Sequence, residues 1–156
     1  MLDTITYTDF YSRKIDDLTL AQAIKLHYEL NPQFTPWDRI NNPVLQKMIK
    51  FHDHSHVIYG CDTKLLGEVR VQFWNNFGSK VPKNPKDFIS AITDKDSRKL
   101  LTPDGLISSF VTNLPEILRV RKQAKLMSKK WVFFDEERYI NTTIGAIRQE
   151  YNIVIL

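Results

Sequence analysis

The sequence contains little cysteine and has no long apolar segment. Its one cysteine, Cys61, excludes an intrachain disulfide framework and a Cys-rich zinc site. No apolar run approaches the roughly 20 residues that a membrane-spanning helix needs. The residues from Met1 to Asp9 are acidic and polar, which is typical neither of a secretory signal peptide nor of an Arg-rich transit peptide. We therefore expect a cytoplasmic protein.

Length and composition indicate one globular domain. The chain has 156 residues, of which 42% are hydrophobic and 26% are charged, and this argues against a disordered or fibrous protein. Helical periodicity dominates and predicts an all-α fold, a helical bundle over residues 1–156. Residues 1–15 fit a short strand or an irregular arm, and residues 78–113 form a middle segment with little pattern.

Five helices are predicted from periodicity and from their end signals. Proline opens the second and the fourth, glycine ends the second, and Asp16 or Asp17 is the expected cap of the first. Asp62 or Thr63 is the expected cap of the third. The predicted helices are Leu18–Leu30, Pro43–Tyr59, Lys64 to about Phe77, Pro115 to about Phe133, and Thr142–Tyr151. Short helices are also expected near Asp87–Ile92 and Asp104–Thr112.

Three of the four histidines lie in one pentapeptide of the second predicted helix, His52-Asp53-His54-Ser55-His56. On a helix, His52 and His56 are about 40° apart and share a face, with Asp53 at its flank. Because apolar residues lie on that same side, we expect both imidazoles to face inward and His54 to face solvent. The fourth histidine, His27, fits a packing or surface position.

Glu68 is predicted to join this pair. The turn over residues 60–63 separates the second and third predicted helices, and His56 and Glu68 both lie roughly 6–8 Å from it along their helices. An antiparallel hairpin would bring them level, at the centre of the bundle. Two imidazoles and up to two carboxylates would then converge inside the hairpin.

Such a group suits a divalent cation, with His52, Asp53, His56 and Glu68 as candidate ligands. Two imidazoles at i and i+4 reach one ion, and the set fits Zn²⁺ or a non-haem Fe(II) centre. If only three residues bind, the remaining carboxylate, Asp53 or Glu68, is the candidate catalytic base or holds an imidazole tautomer. The alternative is a helix that carries these residues by chance, with Glu68 in a cap or salt bridge. Cys61 is a conceivable further ligand, although a turn residue is the simpler interpretation.

A basic stretch is concentrated near the C-terminal third of the chain, although the net charge is only +4. It contains no acidic residue and predicts an anionic partner such as a phosphate, a carboxylate or an anionic lipid, unless it is simply a solvated helix face. No nucleic-acid-binding module surrounds it, so we expect no nucleic-acid partner. The basic residues are Arg119, Arg121, Lys122, Lys125, Lys129 and Lys130.

The pattern His52-Asp53-x-x-His56, then eleven residues, then Glu68, resembles the signature of the coenzyme Q (ubiquinone) biosynthesis protein four family. Further similar residues are Val57, Gly60, Gly67, Phe73-Trp74, Leu114-Pro115, Arg119, Gln123-Ala124-Lys125-Leu126-Met127, Ile144, Ile147-Arg148-Gln149-Glu150 and Ile153. The chain departs from the family at Glu116, Arg121 and the middle segment.

This resemblance implies an all-α, often dimeric protein peripheral to the inner face of the membrane, mitochondrial in a eukaryote, that works with other ubiquinone-biosynthesis proteins. It implies that the four candidate ligands bind a divalent metal, usually zinc. It also implies removal of the C1 carboxylate from a polyprenylated hydroxybenzoate, coupled to hydroxylation at that carbon. Since hydroxylation needs an oxidant, iron is also a candidate metal.

The resemblance gives the predicted fourth helix a role in lipid binding. Its basic residues Arg119, Arg121, Lys122 and Lys125 would meet an anion or a membrane surface. An apolar stripe would line a tunnel for an isoprenoid tail, although core packing is the simpler function for Ile117, Val120, Ala124, Met127 and Trp131. Two alternatives remain: a non-catalytic polyprenyl-lipid-binding scaffold, and a zincin-like hydrolase that has Asp53 where such enzymes carry Glu.

Overall fold

The structure, a computed structural model, describes residues 5–80, 113–132 and 136–156. The described part is mostly helical, which confirms the all-α prediction. Its α-helices are α1 (Tyr7–Phe10), α2 (Leu20–Leu30), α3 (Pro43–Tyr59), α4 (Leu65–Gly78), α5 (Leu114–Ala124) and α6 (Ile144–Tyr151). Short 3₁₀ helices cover Arg13–Ile15, Trp37–Arg39 and Glu136–Tyr139. Two short strands, β1 (Ser79–Lys80) and β2 (Trp131–Val132), pair in parallel.

Helix α3 begins and ends where the sequence predicts. The Asn42 side chain accepts hydrogen bonds from two backbone N–H groups of the first turn, and Pro43 occupies the first helical position. Gly60 ends the helix in the left-handed conformation, with φ 64°, and its N–H bonds carbonyls of the last turn. A Cβ there would lie 2.8 Å from Cγ2 of Ile155, so a side chain has no room.

Helices α2 and α6 begin at paired threonines. Thr19 caps α2 in a reciprocal capping box with Gln22, and Thr143 caps α6. These two residues also form an isolated antiparallel bridge, which ties the starts of the two helices together. The prediction that Asp16 or Asp17 caps the first helix is therefore wrong, because Asp16 instead pairs with Arg148 at 2.6 Å.

The turn between α3 and α4 lies directly against the helix that follows it. Helix α4 begins after Lys64, which makes no side-chain cap, so the predicted caps Asp62 and Thr63 are wrong. Asp62 Oδ1 instead accepts a hydrogen bond from the Lys64 N–H. A Cβ on Gly67 would lie 1.9 Å from the Asp62 carbonyl oxygen. Glycine is therefore required where the turn meets the helix, one residue before Glu68.

Helix α5 ends at Ala124, about nine residues before its predicted end near Phe133. Beyond it, the Ser128 N–H donates to the Tyr151 carbonyl, and the Asn152 side-chain amide donates to the Leu126 carbonyl. The chain then extends into β2. These contacts to the end of α6 satisfy the backbone in a non-helical path, which the periodicity of the sequence alone does not reveal.

The described part of the N-terminal arm, residues 5–15, is largely helical, contrary to the expectation of a strand or an irregular segment. It contains α1 and a 3₁₀ helix, and its Phe10 and Ile15 are fully buried in the core. The short helices expected in the middle segment lie outside the described residues. Among the helices of the described ranges, none combines the length and apolarity that crossing a bilayer requires.

Helix α3 lies at the centre of the packing, in contact with α2, α4 and α6. Its second half is therefore buried on nearly every side, and this includes His54, which is 1% exposed. The prediction that His54 faces solvent is wrong, since a helix packed on three sides has no wet face there. Arg148 of α6 reinforces this packing by donating to the carbonyls of Val57 and Ile58 at 2.9 and 3.0 Å.

Candidate metal centre

Two histidines of α3 and one glutamate of α4 converge across the helix hairpin. His52 Nε2 lies 3.2 Å from Glu68 Oε2, and His56 Nε2 lies 3.3 Å from Glu68 Oε1. One ligand atom from each of the three residues falls within 4.8 Å of the others. The structure therefore brings together His52, His56 and Glu68 of the four predicted ligands.

The spacing of these donors fits a small divalent cation. Zinc binds imidazole nitrogen and carboxylate oxygen at about 2.0–2.1 Å in a tetrahedral arrangement, which sets neighbouring ligand atoms about 3.3 Å apart. The two nitrogen-to-oxygen distances, each to a different oxygen of Glu68, agree with that value. With all three ligand atoms within 4.8 Å of one another, the group is compatible with such an ion.

Hydrogen bonds on the far side of each ring fix the orientation of the imidazoles. His56 Nδ1 lies 2.9 Å from the Cys61 carbonyl oxygen, and since a carbonyl only accepts, this nitrogen carries the proton. His52 Nδ1 faces Asp53 Oδ1 at 3.3 Å in the same way. Both Nε2 atoms consequently point at the Glu68 carboxylate, which is the orientation that metal-binding histidines adopt.

A positive charge is required between these groups. With Nδ1 protonated on both rings, unprotonated Nε2 lone pairs would face a carboxylate, which is repulsive. Burial disfavours a charged His52, but its hydrogen bonds to Asp53 and Glu68 outweigh burial and raise its pKa to about 9. Burial likewise raises the pKa of Glu68, but the hydrogen bonds from the two histidines dominate and lower it to about 2. In the absence of a metal, a second proton on His52 would supply the charge that a divalent cation would otherwise provide.

Asp53 lies behind His52 rather than in the converging group. The residue is 7% exposed, and it is not among the residues whose ligand atoms lie within 4.8 Å of one another in the described part of the chain. Tyr28 of α2 donates a short hydrogen bond to Asp53 Oδ2. Burial raises the pKa of Asp53, but the hydrogen bonds from His52 and Tyr28 lower it by more, so the carboxylate is ionised.

Helix α2 contributes two residues beside the centre that the sequence does not identify. Tyr28 contacts Asp53, and His27 is fully buried with its ring stacked on His56 at a centroid separation of 5.7 Å. Burial lowers the pKa of His27 to about 4, so this ring is neutral. Only the packing of α2 on α3 brings these residues to the site, and spacing along the chain carries no signal for it.

Two other residues of the hairpin direct their side chains to backbone carbonyls rather than to the three donors. His54 directs Nδ1 to the Lys50 carbonyl oxygen within its own helix. The buried Cys61 thiol faces the Tyr59 carbonyl oxygen at 3.7 Å, and burial raises its pKa to about 12. Cys61 therefore contributes to the centre through its backbone carbonyl on His56, which agrees with its interpretation as a turn residue.

The apolar stripe of the basic segment packs into the core. This agrees with core packing, the simpler of its two predicted functions. Helix α5 lies against α4, and Ile117, Val120 and Ala124 are buried. Trp131 is fully buried on β2 rather than on a helix, and its ring contacts Tyr139 and Tyr151. Met127 packs partly buried against the same core.

The predicted anion-binding residues Arg119, Arg121, Lys122 and Lys125 are exposed on and just after α5. Arg119 pairs with Glu116 at 2.8 Å, whereas no ion pair engages Arg121, Lys122 or Lys125 among the described residues. A cavity of about 360 Å³ lies between this segment and the end of α4. Its lining is basic and apolar: Asn76, Phe77, Arg121, Ala124, Lys125, Met127, Lys129 and Lys130. Asn76 is about 12 Å along α4 from Glu68, so the cavity and the three donors lie at opposite ends of that helix.

Comparisons with protein-family models, with curated proteins and with solved structures find no match to this chain.

Proposed function

We propose that this protein binds one divalent metal ion through His52, His56 and Glu68 and uses it in catalysis. The observation that carries the proposal is the convergence of three donor atoms within 4.8 Å inside a helix hairpin. The fixed Nδ1 partners of both histidines support it, because they leave the two Nε2 atoms for an ion. Zinc fits the donor set and the spacing, and iron(II) fits the same two-histidine, one-carboxylate set.

The exposure of the donors supports a catalytic rather than a structural ion. His56 is 1% exposed, whereas the side chains of His52 and Glu68 are 37% and 38% exposed, so one side of the centre opens to solvent. Three protein ligands with an open position are typical of catalytic zinc sites, and four protein ligands of structural ones. A small anionic group of a substrate would enter from that side.

The reaction we propose follows the resemblance of the motif to the ubiquinone-biosynthesis family. The substrate is a polyprenylated hydroxybenzoate that loses its C1 carboxylate as carbon dioxide and gains a hydroxyl at the same carbon. Dioxygen is the oxidant, an external donor supplies two electrons and two protons, and the second oxygen atom of dioxygen leaves as water. A bound cation supplies a positive charge that stabilises negative charge developing on the ring.

The residues of this chain have separate roles in that reaction. His52, His56 and Glu68 hold the ion, and the Cys61 carbonyl and Asp53 keep the imidazoles oriented. Asp53, with both carboxylate oxygens already hydrogen-bonded, is better suited to orienting His52 than to acting as a base. This also argues against the zincin-like hydrolase hypothesis, in which the residue after the first histidine is the base.

Metal analysis tests the proposal directly. Wild-type protein should carry close to one equivalent of zinc or iron, while His52→Ala and Glu68→Gln should lose most of it. Glu29→Gln is the matched control, because Glu29 is an exposed glutamate of α2. Equal metal content in wild type and in both site variants would contradict the proposal. Turnover of a prenylated hydroxybenzoate by the metal-loaded protein, absent from both site variants, tests the reaction itself.

A second candidate function is a non-catalytic lipid-binding scaffold at a membrane surface. The scaffold, as a monomer or a homodimer, would present an isoprenoid intermediate to other ubiquinone-biosynthesis proteins. The observation that favours it is the mixed apolar and basic surface around α5. Leu114, Leu118 and Leu126 are each 53% exposed, beside Lys122 and Lys125, which form no ion pair within the described part of the chain. Exposed leucines among cations are typical of helices that lie on anionic membranes.

Vesicle flotation tests the surface that this second function needs. The protein should float with vesicles that contain an anionic phospholipid and not with phosphatidylcholine alone, and salt should weaken binding because it screens charge. The variant Lys122→Gln/Lys125→Gln should bind roughly 30-fold more weakly, because each cation contributes roughly 1 kcal/mol. Lys25→Gln on α2 is the control. Equal binding to both vesicle types would contradict the predicted recognition of anionic membranes. Isoprenoid lipid that copurifies with the protein, without turnover of the substrate, would favour the scaffold over the enzyme.

A further inference from the structure

Asp53 and Tyr28 form a hydrogen-bonded chain that ends on His52. The Tyr28 hydroxyl donates to Asp53 Oδ2, and Asp53 Oδ1 faces His52 Nδ1 at 3.3 Å. The Trp37 N–H in turn donates to the Tyr28 hydroxyl oxygen at 3.2 Å. Each oxygen of the Asp53 carboxylate thus has a partner in the protein.

The position of Asp53 differs from that of the three converging donors. His52, His56 and Glu68 offer atoms within 4.8 Å of one another, and in the described ranges Asp53 is not part of that group. Metal-binding histidines commonly donate their second ring N–H to a carboxylate, which fixes the tautomer and the direction of the ring. Asp53 occupies that position relative to His52.

We propose that Tyr28 and Asp53 are positioning residues for the centre, which therefore has three protein ligands and an open coordination position. Tyr28 holds the Asp53 carboxylate, Asp53 holds the Nδ1 proton of His52, and Nε2 of His52 points at the ion. This inference rests on the proposed metal site and deepens it, because it removes Asp53 from the ligand set. It also explains why an adjacent helix, α2, is needed to orient a residue of α3.

Cobalt(II) titration followed by visible absorption measures both affinity and coordination. Asp53→Asn, which keeps the size of the side chain, should bind one Co²⁺ roughly 10- to 100-fold more weakly than wild type. Tyr28→Phe should lose a smaller factor, about 3- to 10-fold, which corresponds to one hydrogen bond. Both variants should keep the wild-type band shape, because the ligands themselves are unchanged.

The double variant distinguishes positioning from a general loss of packing. If Tyr28 acts through Asp53, then Tyr28→Phe/Asp53→Asn should bind Co²⁺ no more weakly than Asp53→Asn alone. Tyr59→Phe is the matched control, because the hydroxyl of Tyr59 is buried on Ser79 at 2.9 Å, away from the donors. It should lower thermal stability without changing Co²⁺ affinity. Far-UV circular dichroism verifies that each variant is folded.

Three outcomes would overturn the inference. If Asp53→Asn abolishes binding as completely as His52→Ala, Asp53 is a ligand. If Asp53→Asn binds Co²⁺ as tightly as wild type, Asp53 has no role at the centre, and strictly additive losses in the double variant would show that Tyr28 acts independently. Wild-type protein that binds no Co²⁺ would instead contradict the proposed function as a whole, so the two failures are distinguishable.

Discussion

At the scale of single residues, the centre depends on His52 being held between two carboxylates. Its Nδ1 faces Asp53 and its Nε2 faces Glu68, at 3.3 and 3.2 Å. The sequence predicts the meeting of His52, His56 and Glu68, because helical spacing and a short turn are local properties. It does not predict Tyr28 or His27 at the site, since their positions depend on how α2 packs against α3. Nor does it reveal that His54 is buried, because that depends on three neighbouring helices.

A pH dependence of stability follows from these contacts in the metal-free protein. Because the folded-state pKa of His52, about 9, is above its ordinary value of 6.5, its contribution is complete below pH 6.5 and is lost as the pH rises towards 9. Since the side chain is 37% exposed, solvent screening reduces the effect to about 1 kcal/mol of unfolding free energy. Urea unfolding of chelator-treated protein across this range measures it.

The His52→Gln variant provides the comparison. It should lose the decline in stability between pH 6.5 and 9, because glutamine does not titrate. Equal slopes in wild type and His52→Gln would show that His52 is not stabilised as a cation.

Glu68 gives stability the opposite pH dependence at acid pH. Because its pKa is lowered to about 2, its contribution to stability is intact above pH 4.5 and is lost as the pH falls towards 2.

At the scale of elements, the ends of α3 lie where the sequence predicts them, whereas the end of α5 does not. Pro43 and Gly60 define α3 through their own backbone preferences, so both of its ends are predictable. The end of α5 is not, because distant residues at the end of α6 bond the backbone that follows it. The predicted caps of α4, Asp62 and Thr63, are wrong as well. The short turn after Gly60 is nevertheless enough to predict that the three donor residues meet.

Gly67→Ala tests the hairpin. A Cβ at this position would lie 1.9 Å from the Asp62 carbonyl oxygen, so the turn must move, and we expect a loss of roughly 1–3 kcal/mol in unfolding free energy. Metal affinity should also fall, because Glu68 is the next residue along α4. Thermal unfolding and Co²⁺ titration measure the two effects. Gly145→Ala on α6 is the control and should leave metal affinity unchanged, whereas unchanged stability and affinity in Gly67→Ala would contradict this account of the turn.

At the scale of the whole molecule, the surfaces of the two proposed functions lie at different ends of α4. The donors His52, His56 and Glu68 are at its beginning, and the basic cavity that includes Arg121 and Lys125 is near its end. Arg148 links α6 to the carbonyls of α3 beside the centre. An ion held between α3 and α4 would therefore stabilise the central helix of the fold, and metal binding should be coupled to global stability.

The most direct measurement is the thermal unfolding of chelator-treated protein with and without one equivalent of Zn²⁺. Because an ion that binds only the folded state stabilises it, the midpoint of wild-type unfolding should rise clearly on addition of Zn²⁺. The midpoints of His56→Ala and Glu68→Gln should not rise, whereas that of Glu29→Gln should rise as in wild type. A wild-type midpoint that Zn²⁺ and Fe²⁺ both leave unchanged, or an equal rise in His56→Ala, would contradict the claim that these residues bind a metal ion.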